Sequence, residues 1–387
     1  MSFVTTEQHH RIDSTLPIDP ESLQTPYVMI DLARTKRNIH HMTTTLQNIS
    51  PQVTLRPHIK THKLPQLAKM QLAAGAIGIT CAKLAEAEVM AAAGINDIFI
   101  GYPLIGKLRL QRAAKLLQAG VRLIVAVDSL EGAQQLSRAA SIHHVTFEIR
   151  LEIETGLRRT GVTQEQVVAL ALQIATLKGI HITGIFTYKG AVLAEKPTTD
   201  LAAAGKEESD IMIKVAAALR EAGIAIQDIS VGSTPSALHA ASTEGVTEVR
   251  PGTYIFYDRM QAAYGVCQLE DCSALLWATI VSRPAPDRII IDTGSKSLAA
   301  DIQPQQDQLF LHGFGHIVGD ADAIIERMNE EHGMVTVRPE ATYAIGDRIS
   351  IIPNHICTTI NLHNFVYVKD EDGKLYQWNV AARGLVY

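Results

Sequence analysis

Cysteine is scarce in this 387-residue chain. The four present, Cys81, Cys267, Cys272 and Cys357, are widely spaced, which excludes a small disulfide-stapled scaffold and makes a reducing, cytoplasmic setting the expectation. No secretory leader is expected either, because the opening MSFVTTEQHHRIDST is polar and has no apolar centre. No run approaches the roughly 18 apolar residues of a membrane span, and low-complexity tracts and repeats are absent. Positive charge is not in excess: 35 Lys and Arg stand against 40 Asp and Glu, for a formal net charge of -5 and a pI near 6.3. Nucleic-acid binders usually carry the opposite balance. A small-molecule partner is expected, with neither nucleic acid nor membrane.

What the chain does have is apolar mass, 47% of residues, in a length that suggests two domains or a barrel with an appendage. Short β-type runs (TLRPHI, AIGITCA, DIFIGY, RLIVAVD, TFEIRLEI, ITGIFTY, DISVGST, TEVRPGTYIFY) alternate with alanine-rich helical patterns such as KLAEAEVMAAAG and DIMIKVAAALREAG, which end in glycine. Alternation of this kind predicts parallel strands covered by helices, and eight strands predict a closed (β/α)8 barrel of the TIM type over residues 33–262. Beyond that the strands (ALLWATIVSRP, RIIIDTGS, GMVTVRPE, DRISIIPN, NFVYVKD, LYQWNV) follow one another with only Pro, Gly, Asn and Asp between. They predict a smaller all-β domain at 263–387, joined by an N-terminal strand within 20–32.

LRPHIKTHK, residues 55–63, holds Arg56, Lys60 and Lys63 with two histidines directly after an apolar run. Working groups of a parallel barrel sit at the carboxyl ends of its strands. On that rule Lys60 ends the first strand and Tyr188 the sixth, while Gly232, Ser233 and Thr234 end the seventh. Pro251, Gly252, Thr253 and Tyr254 lie at the eighth. Small residues with hydroxyls let backbone N–H groups approach phosphate oxygens. A lysine amine facing a phosphate cradle is the requirement of pyridoxal 5'-phosphate chemistry. A plain loop and a solvated lysine remain the alternative for each feature taken alone.

In PNHICTT, His355 and Cys357 stand two apart. On a strand they would share a face and could bind one divalent cation, although a buried His and a buried Cys would leave the same trace.

LRPHIKTHK, EIETGLRRTGV, VGSTPSA, EVRPGTYIFYD, EEHG, PNHICTTINLHN and the terminal AARG resemble the corresponding segments of the D-threonine aldolases and D-serine dehydratases. These are the alanine-racemase-like, fold type III pyridoxal phosphate enzymes. The resemblance implies that Lys60 carries the cofactor through its amine, that Arg159 lies near the cofactor's phenolic oxygen, and that Tyr188 lies beside the ring. Gly232, Ser233, Thr234, Gly252 and Thr253 would surround the phosphate. It also implies a metal at His355 and Cys357, zinc before manganese because thiolate is the softer ligand. From their positions flanking Lys60, His58 and His62 would orient the cofactor or lower the Lys60 pKa by the proximity of cations, rather than form a metal pair at helical spacing, which Pro57 and the preceding strand disfavour. His332 of EEHG matches a family motif and would approach the metal. The implied activity is a lyase acting on β-hydroxy D-amino acids, with D-threonine cleavage to glycine and an aldehyde first. Dehydration of D-serine or a 3-hydroxyaspartate comes second, then racemisation, then a non-catalytic cofactor carrier. Homodimers are implied, one subunit's β-domain closing the other's barrel mouth. Where the aldolase pattern has YHG, this chain has Tyr188, Lys189 and Gly190.

Overall fold

The computed structural model describes residues 13–305 and 308–387. Most of the polar amino-terminal stretch that bears on a leader lies outside the described residues. The chain divides into two compact units: one of residues up to Ile39, Thr61–Leu64 and Thr253–Gly384, the other of His40–Lys60, Pro65–Gly252 and Leu385–Tyr387.

The second unit is the barrel. Its strands are Thr54–Leu55, Ile79–Cys81, Asp97–Pro103, Arg122–Val127, Phe147–Glu152, Ile180–Phe186, Asp228–Val231 and Glu248–Val249. All neighbours run parallel, the eighth strand pairs with the first, and a parallel bridge from His58 to Thr80 links the first to the second. Runs such as Leu123–Val127 are buried throughout, as strands covered on both faces must be. Helices Leu84–Ala92, Lys107–Gln118, Val167–Ala175 and Leu201–Glu221 lie where the alanine-rich patterns predict them. Gly94 and Gly223, at φ +89° and +83°, follow two of them in the left-handed conformation that ends a helix without a Cβ penalty. The patterns above leave Leu130–His143 without an assignment. It is a helix started by Ser129, whose hydroxyl accepts the Gly132 N–H.

The barrel's interior carries charge at its lower end. Arg56 Nε donates to Glu248 Oε2 at 2.7 Å and Arg150 Nη1 to Glu248 Oε1 at 2.5 Å, with all three residues 0–1% exposed. Arg56 also pairs with Asp97, and Arg150 with Asp228 at 2.9 Å. Arg56 therefore belongs to the scaffold.

The other unit is a nine-stranded mixed sheet ordered Ile324–Met328, Gly333–Thr336, Arg288–Ile291, Ala274–Ala285, Tyr27–Asp31, Phe365–Lys369, Leu375–Asn379, with Arg348–Ile352 and His316–Ile317 branching from it. Tyr27–Asp31 runs antiparallel to Ala274–Ala285 and parallel to Phe365–Lys369. Along Ala274–Ala285 burial alternates, so Leu276, Ala278 and Ile280 are fully enclosed. Each large one contributes roughly 1.5–3 kcal/mol. Among the described residues no helix is long and apolar enough to cross a membrane.

Candidate active site

The first barrel strand stops at Leu55, and Lys60 lies beyond it in the 3-10 turn Ile59–Thr61 rather than at the strand's end. Pro57 thins the ladder there, and pairing ends one residue later with the bridge from His58 to Thr80. The proline has no N–H for a ladder, its carbonyl accepts the Thr80 N–H at 2.8 Å, and the chain then turns. His58 Nδ1 accepts the Lys60 N–H at 3.3 Å and steadies the turn. Lys60 Nζ lies 5.2 Å from the centroid of the Tyr188 ring, and the Arg159 guanidinium carbon 5.1 Å from the same ring. Tyr188 stands two residues past the sixth strand. Arg158, with φ +55°, turns outward to Glu195, which leaves Arg159 to the cavity. Lys60, Arg159 and Tyr188 line one cavity of about 290 Å³ together with His58, Phe186 and Arg250, near the lower end of the roughly 300–1,000 Å³ of small-molecule sites.

Gly232, Ser233 and Thr234 follow the seventh strand and lie outside that lining. Gly232 is at φ +80°, and a Cβ there would meet the Ala237 Cα at 2.9 Å, so no other residue fits. The Ser233 N–H donates to Ser236 Oγ at 3.2 Å, the two serine oxygens are 3.1 Å apart, and the Gly252 N–H donates to Thr234 Oγ1 at 3.2 Å. Hydroxyls and amides thus converge in one small cluster. Arg250 lines the cavity: its guanidinium donates to Ser230 Oγ and the Thr187 carbonyl, and it lies 5.3 Å from the Phe186 centroid. Burial pushes the Arg250 guanidinium down to about 10, against the pull of Glu248, so it remains a cation at neutral pH.

His355 and Cys357 do not lie on a strand. The strand Arg348–Ile352 ends at Pro353, His355 caps the helix Ile356–Leu362, and Cys357 is in its first turn. The buried Asp258 carboxylate holds this start by accepting the N–H groups of Ile356, at 3.1 Å, and Gln261, at 2.9 Å. Its own pKa is raised to about 6 by burial. The turn keeps imidazole and thiol together by a different geometry from the one predicted. Burial opposes charge on both, yet each holds the other ionised: the thiol is drawn below its usual value by His355, and the imidazole well above its own by Cys357 and Asp301. Asp301 Oδ2 lies 2.5 Å from His355 Nδ1, which leaves Nε2 for a ligand. Thr61 Oγ1 is 3.2 Å and Thr253 Oγ1 3.7 Å from Cys357 Sγ, so the Thr253 hydroxyl is turned to the sulfur.

Residues 30–260 match the family "Alanine racemase, N-terminal domain", and residues 273–369 match "Putative serine dehydratase domain". A D-threonine aldolase of Arthrobacter sp. is 33% identical over 95% of each chain. The chain belongs to the alanine-racemase-like family of D-threonine aldolases and D-serine dehydratases. It is a pyridoxal phosphate-dependent lyase. The D-threo-3-hydroxyaspartate dehydratase of Delftia sp. (strain HT23) is 34% identical, over 92% of this chain and 97% of that one. A cysteine-to-alanine variant of an enzyme of that name, solved in a metal-free form, superposes with a TM-score of 0.85 at 33% identity, over 92% and 97% of the two chains. The crystal structure of the D-threonine aldolase from Filomicrobium marinum gives a TM-score of 0.85 at 28% identity over 97% of this chain and all of the other.

The residues present fit the family's cofactor: an amine and an aromatic ring share a cavity, and the loop at Gly232, packed too tightly for a Cβ, gathers backbone and hydroxyl donors. The donor set of His355 and Cys357 fits a divalent cation with open positions. Among the described residues no group of three or more His, Cys, Asp or Glu is arranged for a metal, and His332 is an exposed turn residue that does not join the pair. His62 is fully buried, its Nδ1 accepting the Leu64 N–H. Lys189, where the aldolase pattern has histidine, does not line the cavity: its buried amine pairs with Glu207. Sequence reasoning missed Arg250, Asp258 and Asp301. The arginine stood in the quoted EVRPGTY, but the aspartates carried no spacing signal, because their partners lie about 54 and 98 residues away.

Proposed function

We propose that this lyase acts on β-hydroxy D-amino acids and cleaves D-threonine to glycine and acetaldehyde, with pyridoxal phosphate on Lys60 and a divalent cation, zinc first, on His355 and Cys357. The observation that carries the reading is the convergence of Lys60, Tyr188 and Arg159 on one cavity. Bound pyridoxal phosphate supplies an electron sink that weakens bonds at the substrate's Cα. Lys60 Nζ would hold the cofactor, and the same amine is the group that would return a proton to Cα after the Cα–Cβ bond breaks. Tyr188 would limit the movement of groups stacked beside it. Arg159 and Arg250 would keep anionic oxygens ionised in a cavity whose wall includes the buried Phe186 ring. A cation on His355 and Cys357 supplies Lewis acidity, which lowers the pKa of a hydroxyl. Cys357 is already drawn toward thiolate, and Asp301 fixes the His355 ring through Nδ1, so Nε2 would be its ligating atom.

Dehydration is the second reading, favoured by the dehydratase relative at 34% identity and by the metal-free form of a cysteine variant of such an enzyme. Incubation with D-threonine, D-serine and D-threo-3-hydroxyaspartate, with and without chelator, separates the two. Acetaldehyde from D-threonine, lost on chelation, supports aldol cleavage. Ammonia with a keto acid overturns it in favour of dehydration. Chelator-insensitive loss of chirality identifies a racemase, and inertness with cofactor bound identifies a carrier.

A further inference from the structure

Glu208, on the inner face of helix Leu201–Glu221, is 1% exposed and has no part in the chemistry above. Its surroundings are the loop read here as the phosphate cradle. Ser236 Oγ donates to Glu208 Oε2 at 3.5 Å and is the same oxygen that receives the Ser233 N–H. The backbone N–H groups of Gly232 and Lys189 face the carboxyl. Glu208 Oε1 is buried without a hydrogen-bond partner. Cations are near but engaged elsewhere: Arg250 with Ser230 and the Thr187 carbonyl, Lys189 with Glu207, the adjacent residue of the same helix. Among the described residues no ion pair reaches Glu208.

We propose that Glu208 is a proton-linked positioning residue for the phosphate end of the cofactor: it is protonated when a phosphate dianion occupies the Gly232–Ser233–Thr234 loop, and its ionisation loosens that hold. The inference rests on the cofactor reading above. A carboxylate directly beneath the loop would repel a dianion and lack a counter-ion, whereas the neutral acid gives its proton to a neighbouring oxygen and supports Ser236. In the free protein burial raises Glu208 to about 7, against the opposing pull of Arg250. A bound dianion disfavours the carboxylate further. Binding above neutral pH is then coupled to proton uptake, and affinity must fall as pH rises.

The test titrates full-length protein, freed of cofactor, with pyridoxal phosphate and in parallel with pyridoxal, from pH 6.5 to 8.5, following the visible absorbance. Relative to pyridoxal, the pyridoxal phosphate Kd should rise by up to about fifteenfold between pH 7 and 8.5, the limit for a group titrating near 7. Glu208→Gln, neutral at every pH, should bind pyridoxal phosphate with the pH dependence of pyridoxal. If that variant does not fold, proton uptake by the wild type in weak buffer at pH 7.5 decides, since pyridoxal phosphate should take up more protons than pyridoxal. Equal pH slopes for the two ligands, or equal uptake, would overturn the proposal while leaving the cofactor site intact. A wild type that binds neither ligand removes the functional reading and this inference with it.

Discussion

Replacing Glu248 by Gln removes one charge from the lower end of the barrel's interior and keeps the side chain's shape. In the native protein that carboxylate faces two buried guanidiniums, Arg56 and Arg150, at 2.7 and 2.5 Å. Burial alone would raise its pKa, but Arg150 and Arg56 outweigh it and hold the carboxylate far below the usual range. Breaking a buried pair by neutralising one member costs about 3–5 kcal/mol, because the opposite charge stays buried without compensation. Here Arg56 keeps Asp97 and Arg150 keeps Asp228, both carboxylates partly exposed, so the expected loss is at the lower end, roughly 3 kcal/mol. Urea unfolding followed by far-UV circular dichroism should show it as a lower midpoint with unchanged slope. The pH dependence has a definite sign. The folded pKa lies below the unfolded value of roughly 4.3, so the stabilisation is complete above that value and is lost as pH falls through the folded one. The gap between wild type and variant should be constant from pH 8 to 5 and narrow in more acid solution. A loss under about 1 kcal/mol, or a gap that widens on acidification, would refute the assignment of these charges to one coupled network.

Two further outcomes concern the site. Lys60→Ala should give a folded protein that develops no visible absorbance with pyridoxal phosphate and no adduct on borohydride reduction; a stable absorbing adduct would place the amine elsewhere. Cys357→Ala should keep the absorbance while its metal content, read by atomic emission, and its activity fall together. Full activity in that variant would end the metal reading of the pair.

The barrel was legible because its strands and helices repeat one rule, a short apolar run and then an alanine-rich amphipathic stretch closed by glycine. What escaped obeys a different cause. Leu130–His143 contains Gly132 and two serines, Ser137 and Ser141, yet Ser129 supplies a cap that offsets its weak propensity. The strand Ile324–Met328 is half polar, and its register against Gly333–Thr336 slips between Ile325 and Arg327, so its alternation is broken by a bulge. PNHICTT misleads differently. Its apolar and β-branched residues suit a strand, but a carboxylate from Asp258, about a hundred positions earlier, accepts the first helical N–H and makes a helix the better solution. Pairwise placement of His355 and Cys357 survived the wrong element because residues two apart at a helix start also lie near one another.

The same distinction explains LRPHIKTHK. Three cations within eight residues have separate physical roles. Arg56 still belongs to the barrel's strand register and is drawn to Glu248. Pro57 then removes one ladder donor, His58 makes the last bridge, to Thr80, and the chain turns away. Lys60, in the turn that follows, is released from the alternation and reaches the Tyr188 ring. At Lys63 the backbone is at φ +56°, a conformation that most side chains avoid, and its amine donates to Asn361 Oδ1 at 2.8 Å in the β-rich unit. Composition alone shows a basic cluster. The proline divides it, and the lysine available for chemistry is the one left with neither a strand partner nor a carboxamide.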